Sequence, residues 1–266
     1  MNIEFTKQLS VKDWNDIRIA LTENKSNLKD LTTEQDKVIK KFINEPYRFG
    51  TGKDFLNEWR MLSEMAGLTK KMWSPGKTLK VFFFGGENDR KRKIIELASE
   101  WSNYCSIKFS ATTNQCESDL RIAFNPNYSC SVLGTDAILT PQNEYTINFG
   151  WLTASVNSEE DKRVILHEFG HALGLIHEHQ SPAIKVNWNK NRVYHYFDVN
   201  HKWDKGEVDR NIFEEFETTK TKFSKVDVLS IMTYNIPSDW TNDGISFPIN
   251  YVLSDLDKEY IGKIYS

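Results

Sequence analysis

The most informative stretch of this sequence reads His167-Glu-Phe-Gly-His171-Ala-Leu-Gly174-Leu-Ile-His177. Because residues four apart on a helix share one face, His167 and His171 can present two imidazoles to a single ion. Gly174 tolerates the positive φ that ends a helix and turns the chain back, which lets His177 supply a third nitrogen from another direction. Three neutral protein ligands with one open position are typical of a catalytic zinc site, so we predict one zinc ion here.

Glu168 directly follows the first histidine, so its carboxylate is placed beside the metal rather than on it. In that position it can act as the general base that takes a proton from a metal-activated water. The alternative is a buried helix with incidental histidines, but five specified positions match by chance only about once in 10⁵ chains of this length and composition. We therefore predict an enzyme, a zinc metalloendopeptidase that hydrolyses internal peptide bonds. A pseudo-peptidase that binds peptides without cleaving them would not need Glu168.

Strands and helices alternate around this motif, which indicates a mixed α/β domain. Capping boxes of the form Ser-x-x-Asp mark helix starts at Ser158 and Ser254, and the first of these helices should run to about Leu173. A further helix should begin with Asp89 as its cap. The predicted strands span residues 79–84, 106–111, 119–124, 136–139 and 145–152.

The first seventy-one residues read as a separate helical segment. Apolar residues recur there at helical spacing, as in Phe55, Trp59, Leu62 and Ala66. A turn signal at Trp73-Ser-Pro-Gly76 separates this segment from the first strongly apolar strand. We therefore divide the chain into an N-terminal segment, residues 1–71, and a catalytic domain, residues 72–266.

A second motif, Ser230-Ile-Met232-Thr-Tyr234, follows the three histidines. Together the two motifs resemble the metzincin metallopeptidases, in which the histidine motif is followed by a Met-turn. The tyrosine of this segment, and Glu178 directly after the third histidine, are similar to the astacin branch. The resemblance implies that Met232 is an apolar floor beneath the histidines and that Tyr234 stands near the metal, where its phenol can stabilise the oxyanion. The chain departs from animal astacins after His177 and has too few cysteines for their two disulfides, so it resembles a disulfide-poor relative.

The same resemblance implies the layout of the catalytic domain. A twisted sheet and an active-site helix should form an upper part, with an irregular lower part after Gly174. A protein or peptide substrate should lie extended between them and pair with an edge strand. We expect that edge at Asp136–Leu139. His179 is expected at the surface, with a place behind the metal ligands as the alternative, and neither it nor His195 and His201 is assigned a role.

The resemblance also bears on residues 1–71, because it implies a propeptide whose aspartate takes the water's position on zinc. Asp54, in the turn at residues 49–54, is the nearest candidate, and Glu178 matches the glutamate that contacts the new N-terminus after the propeptide is cut. We therefore expect a zymogen. The alternatives are a permanent part of the fold, or a handle for export or partner binding.

Composition excludes several classes of partner. The net charge of −3 gives no electrostatic footprint for nucleic acid, and the apolar runs are too short to span a bilayer. The first twenty residues hold no apolar h-region, so we expect no conventional secretory signal in this chain. We expect a secreted or exported protein, with a cytoplasmic location left open and a delivered toxin or effector as an alternative role.

Cys105, Cys116 and Cys130 allow at most one intramolecular disulfide, which would form in an oxidising compartment.

Overall fold

The structure is a computed structural model that describes residues 71–181, 184–215 and 227–266. The predicted helical segment, including Asp54, lies outside these residues except for Lys71. All three cysteines are within them, and no disulfide joins any two of them in the described structure.

One sheet of five strands forms the first layer of the described part of the chain. The strands are β1 (Thr78–Phe83), β2 (Lys108–Ala111), β3 (Leu120–Ala123), β4 (Ser129–Ser131) and β5 (Ile147–Phe149). Their order is β2-β1-β3-β5-β4, with parallel pairing throughout except between β4 and β5, which are antiparallel. Strand β4 is therefore an edge of the sheet. The mixed α/β fold class and four of the predicted strands are confirmed, with slightly shifted bounds.

Helices cover the sheet and continue beyond it. They are α1 (Asn88–Ala98), α2 (Asp136–Leu139), α3 (Glu159–Ala172), α4 (Lys190–His201), α5 (Lys205–Val208) and α6 (Asp255–Ile264). The helices predicted at Ser158 and Ser254 are confirmed, and each of these serines caps its helix in a complete capping box. The cap predicted for α1 is wrong: Glu87 occupies the N-cap, and Asp89 lies in the first turn, where a carboxylate still favours the helix dipole.

Helix α3 carries the histidine motif and is fixed to the sheet by aromatic packing. The Phe169 ring meets Phe109 of β2 edge-on at 4.9 Å between ring centroids and stacks on Phe149 of β5 at 6.3 Å. The indole Nε1 of Trp101 donates to the carbonyl of Leu166 at 3.0 Å. Burial of each such ring contributes ~1.5–3 kcal/mol, so α3 has little freedom to move relative to the sheet.

The start of α3 is held by a buried carboxylate. Asp161 accepts hydrogen bonds from the backbone and hydroxyl of Ser158, the N-cap residue, and from the backbone and hydroxyl of Thr153. Burial alone would raise the pKa of Asp161, but these four hydrogen bonds outweigh it and lower that pKa. The carboxylate thus ties the preceding loop to the helix that supplies the first two histidines.

The end of α3 is held by the segment Lys71–Trp73 and by the C-terminus. Trp73 donates through Nε1 to the carbonyl of Ala172 at 2.8 Å, and Tyr265 donates through its hydroxyl to the carbonyl of Leu173 at 2.7 Å. These carbonyls belong to the last turn of the helix and its cap, which have no intrahelical partners. Lys71 is itself buried, with Nζ 3.0 Å from a carboxylate oxygen of Asp136.

The edge strand is not where the sequence predicted it. Asp136–Leu139 forms the short helix α2 rather than a strand, and the edge is β4, Ser129–Ser131, which was not predicted. The buried guanidinium of Arg121 explains the difference, because it donates to the carbonyls of Ala137 and Thr140 at 3.0 Å each. Those carbonyls meet on one cation only if the chain turns between them, which an extended strand does not allow.

A second apolar cluster forms the lower part of the described chain, after Gly174. It joins α4 and α5 to the segment near Trp240, and its buried members include Val193, Phe197, Val208 and Ile212. Phe197 stacks on Trp203 at 4.8 Å, as expected for a packed aromatic segment. The predicted irregular lower part is thus present, although α4 and the short α5 give it regular helices. Of the helices in the described ranges, none has the length and apolar character needed to cross a membrane.

We expect Asp161→Ala to lower the free energy of unfolding by about 2–4 kcal/mol at pH 7, because the capping box and the Thr153 bonds are lost together. The folded pKa of Asp161 lies below its unfolded value of about 3.9, so this stabilisation is complete above that pH and is lost as the pH falls through the folded pKa. Urea unfolding at pH 7 and pH 3 measures it.

The matched control for this change is Asp89→Ala, which removes an exposed first-turn carboxylate from α1. It should alter the free energy of unfolding by less than about 0.5 kcal/mol. Equal losses in the two variants, or a larger Asp161→Ala effect at pH 3 than at pH 7, would contradict the role given to Asp161.

Candidate active site

The three predicted histidines meet at one point. The Nε2 atom of His177 lies 3.2 Å from Nε2 of His167 and 3.0 Å from Nε2 of His171. One ligand atom from each ring lies within 4.8 Å of the others. The helix α3 brings the first two rings together, and the chain reversal after it brings the third.

The opposite nitrogen of each ring faces an oxygen acceptor. Nδ1 of His167 is 2.8 Å from the carbonyl of Ile231, Nδ1 of His171 is 2.8 Å from the carbonyl of Leu175, and Nδ1 of His177 is 3.0 Å from the side-chain oxygen of Gln180. A carbonyl oxygen can only accept, so each Nδ1 must carry the hydrogen. Each Nε2 therefore presents a lone pair to the shared centre. None of these three oxygen acceptors was predicted from the sequence.

This arrangement fits a zinc ion. Two nitrogens bound tetrahedrally at 2.0–2.1 Å are about 3.3 Å apart, close to the Nε2 separations seen here. Three lone pairs at such separations repel one another unless a cation lies among them. Burial also lowers the pKa of His167 and His177 well below the ordinary value, and the neighbouring His171 lowers both further. The rings are thus held in the neutral form that binds metal.

The reversal after α3 depends on Gly174, whose φ is +93°. Its backbone N–H donates to the carbonyl of His171 at 2.8 Å, and the next N–H, of Leu175, donates to the carbonyl of Gly170 at 3.0 Å. These bonds satisfy carbonyls at the helix end in the manner of a left-handed C-terminal cap. The predicted function of the glycine is confirmed, since a side chain at this φ would be strained.

Glu168 lies beside the histidines and is buried. Burial raises the pKa of its carboxyl group to about 8, and the positive charge of Arg163 opposes that increase. Among the described residues, its Oε2 has no hydrogen-bond partner. The residue lines the same cleft as His167 and His171, so the structure brings it together with the three predicted ligands.

Met232 lies under the active-site helix. A Cβ atom added to Gly170 would lie 2.4 Å from the sulfur of Met232, so the missing side chain at position 170 makes room for it. Met232 is buried, and its carbonyl accepts from the backbone N–H of Glu178 at 3.3 Å. Met232 therefore packs against the turn of α3 that carries His167 and His171. Glu178 is itself mostly buried, which raises the pKa of its carboxyl group to about 7.

Tyr234 also reaches the histidines. Its ring meets His177 edge-on, with 4.6 Å between centroids, and lies 6.2 Å from the ring of His167. It lines the cleft beside them. The structure thus brings every predicted site residue of the catalytic domain to one place.

One prediction near the site is wrong. His179 is not at the surface but buried, with its ring stacked on His177 at 5.2 Å and edge-on to Tyr234 at 5.4 Å. The short helical turn Glu178–Gln180 explains this, because it turns both His179 and Gln180 inward. The position of His179 in the sequence, two residues after a predicted ligand, does not by itself indicate that the side chain is buried.

A cleft of about 790 Å³ opens over the histidines. Its upper wall includes the edge strand β4 and helix α3, and its lower wall includes Tyr234 and residues of α4 such as Tyr196 and Phe197. Among the strands of the described ranges, none covers the outer backbone groups of β4. The cleft has the size of a site for several amino-acid side chains or a small ligand.

Comparison with known proteins agrees with this geometry. The profile of the peptidase family described as Astacin matches residues 66–248. A structure of myroilysin is 40% identical with a TM-score of 0.71 and covers 75% of this chain and 97% of its own. A crystal structure of myroilysin is 41% identical with a TM-score of 0.58 and covers 73% of this chain and 86% of its own.

A curated relative gives a shorter match. The zinc metalloproteinase dpy-31 of Teladorsagia circumcincta is 29% identical over an alignment of 140 residues, which covers 48% of this chain. The match covers 20% of that relative, so the chain spans about a fifth of its length. The histidine site, the fold and the family profile lead to one conclusion: this chain is a member of the astacin family of zinc metalloendopeptidases, within the metzincins.

Proposed function

We propose that this chain hydrolyses internal peptide bonds of proteins, with His167, His171 and His177 holding one zinc ion. The observation that supports this most directly is the convergence of three Nε2 lone pairs, each fixed by an acceptor on the opposite ring nitrogen. When bound, zinc polarises the scissile carbonyl and lowers the pKa of a water molecule. The remaining steps belong to side chains of this chain.

Glu168 is proposed as the general base. Its carboxyl group is buried beside the histidines, and its Oε2 makes no hydrogen bond to another described residue. The charge of a bound zinc ion would oppose the effect of burial on its pKa and favour the ionised form, which can accept a proton from the attacking water. Glu168 then passes that proton to the nitrogen of the leaving amine. A carboxylate that shuttles one proton in this way completes the reaction without any further acid.

Tyr234 is proposed as the donor that stabilises the oxyanion. Two observations support this role: the ring of Tyr234 packs edge-on to His177, and the residue lines the same cleft as the histidines. A phenolic O–H is a neutral donor, so it can stabilise the negative charge that develops on the carbonyl oxygen.

The proposed substrate is a protein or peptide segment in extended conformation. It would lie in the cleft and add a strand beside β4, whose outer backbone groups are not paired within the sheet. Of residues 1–71, those before Lys71 are proposed as a propeptide, with Asp54 on the zinc, and the protein as one that acts after secretion. Burial of Lys71 against Asp136 supports a cleavage point before Lys71 rather than after it.

The first prediction concerns the metal. The purified full-length chain should contain one equivalent of zinc, and complete removal by a strong chelator should abolish peptidase activity until zinc is restored. His171→Ala should lose zinc, whereas His195→Ala, an exposed histidine of α4, should retain it. Full activity in metal-free protein, measured alongside elemental analysis, would rule out the proposed reaction.

The second prediction tests whether Glu168 acts as a general base rather than as a metal ligand. Glu168→Gln should keep its zinc but lower kcat by about 10²–10⁴, because it removes the proton acceptor and leaves the ligands in place. Glu159→Gln, an exposed residue at the start of the same helix, should leave kcat unchanged. Steady-state kinetics and zinc analysis on the same preparations would show whether Glu168 acts as proposed, and an active Glu168→Gln would exclude it.

The third prediction concerns the oxyanion. Tyr234→Phe should lower kcat/KM by about 10²–10³ while zinc content and fold are retained, since one stabilising hydrogen bond is lost. Tyr194→Phe is the matched control, because this hydroxyl donates to Asp209 at 2.5 Å in the lower part, outside the histidine site. If the two variants hydrolysed peptides equally well, Tyr234 would be a packing residue.

The fourth prediction concerns residues 1–71. A fragment beginning at Lys71 should be more active than the full chain if the segment fills the cleft. A fragment beginning at Met72 should be less stable than the Lys71 fragment by about 3 kcal/mol, because Asp136 loses its buried partner. Peptidase assays and thermal unfolding of the three proteins measure both effects. Equal activity of the full chain and the Lys71 fragment would mean that the segment is no inhibitor.

A further inference from the structure

The three oxygen acceptors that orient the histidine rings differ in their separation from those histidines in the sequence. His171 and His177 are oriented by Leu175 and Gln180, which are four and three residues away and belong to the same local turn. His167 is oriented by the carbonyl of Ile231, which is 64 residues away. The direction of the His167 ring therefore depends on where the tertiary structure places the segment Ser230–Met232.

That segment is held by a carboxylate of the last helix. Asp257 is buried, and its Oδ2 accepts from the backbone N–H of Ile231 at 2.8 Å. Its Oδ1 accepts from the hydroxyl of Ser230 at 2.6 Å, and the same hydroxyl oxygen accepts from the backbone N–H of Met232 at 3.0 Å. One carboxylate thus holds three consecutive residues of the Met-turn.

Asp257 does more than a capping residue requires. In the capping box of α6, its backbone N–H donates to Ser254, and its Oδ2 accepts from the backbone N–H of Ser254 at 2.9 Å. Those two bonds complete the box. The bonds to Ser230 and Ile231 are additional, and they connect the helix start to the residue that accepts from His167. A buried carboxylate with three donors around it is a rigid point of attachment.

We propose that Asp257 is a positioning residue for the zinc site, which acts on His167 through Ile231. It fixes the carbonyl of Ile231, which in turn fixes the tautomer and the ring direction of His167. The inference rests on the proposed zinc ligation by the three histidines. Groups that orient metal ligands commonly change metal affinity 10- to 100-fold when they are replaced, and Asp257 is expected to fall in this range although it acts one residue further out.

The test measures zinc affinity of the full-length chain by competition with a chelator of known affinity. Asp257→Asn puts an amide donor where the carboxylate accepts a hydrogen bond. The dissociation constant for zinc should therefore rise about 10- to 100-fold. Asp255→Asn is the matched control, because this exposed carboxylate lies in the same first turn and pairs only with Lys258 among the described residues. It should leave the zinc affinity unchanged.

Two further variants separate positioning from loss of stability. Ser254→Ala removes the serine of the capping box and its hydroxyl bond to Asp227 but leaves the Asp257–Ile231 bond, so it should lower the melting temperature without a change in zinc affinity. Ser230→Ala keeps the capping box and removes one bond to Asp257, so it should weaken zinc binding in the same direction as Asp257→Asn. The absorption spectrum of the cobalt-substituted protein should change in Asp257→Asn and Ser230→Ala and stay unchanged in Ser254→Ala and Asp255→Asn.

The outcomes are distinguishable. If the wild-type chain binds no zinc, the proposed function fails. If it binds zinc and Asp257→Asn binds it equally well, the positioning role alone is overturned. Equal loss of zinc affinity in Asp257→Asn and Ser254→Ala would likewise overturn it, because the effect would then follow helix stability rather than the bond to Ile231.

Discussion

Three imidazole lone pairs that point at one another repel, and the architecture around the histidines serves to hold them together. Each Nε2 faces the shared centre only because the Nδ1 of the same ring is tied to an oxygen. Without those three acceptors, each ring could rotate or adopt the other tautomer, and the lone pairs would diverge. The set of neutral nitrogens, ready for a cation, therefore depends on groups that are not ligands themselves.

The scaffold supplies those groups from opposite directions. Helix α3 carries two of the rings, and both of its ends are fixed: Asp161 ties its first turn to the preceding loop, and Trp73 and Tyr265 satisfy carbonyls at its last turn. The Met-turn approaches from below, where Met232 packs against Gly170. A rigid helix and a fixed turn are what a preorganised site requires, since ligands that must be gathered on binding cost affinity.

The same sequence device serves two purposes in this chain. Both α3 and α6 begin with a Ser-x-x-Asp capping box, and in both the aspartate makes more hydrogen bonds than the box needs. The additional hydrogen bonds of Asp161 come from Thr153, and those of Asp257 come from Ser230 and Ile231. The additional bonds of Asp161 stay within the adjoining loop, whereas those of Asp257 join segments that are distant in sequence. Asp257 thus connects a helix start to the turn whose carbonyl faces His167.

Local signals determined most of what the sequence could tell. The helix period placed His167 and His171 on one face, Gly174 marked the reversal, and the capping boxes marked two helix starts, because each depends on a few neighbouring residues. Residues distant in sequence decided the rest. Asp136–Leu139 became a helix because Arg121 binds the carbonyls of Ala137 and Thr140, and the ring of His179 is covered by that of Tyr234. Which oxygen orients His167, and which strand forms the edge of the cleft, depend on contacts across tens of residues that no local pattern records.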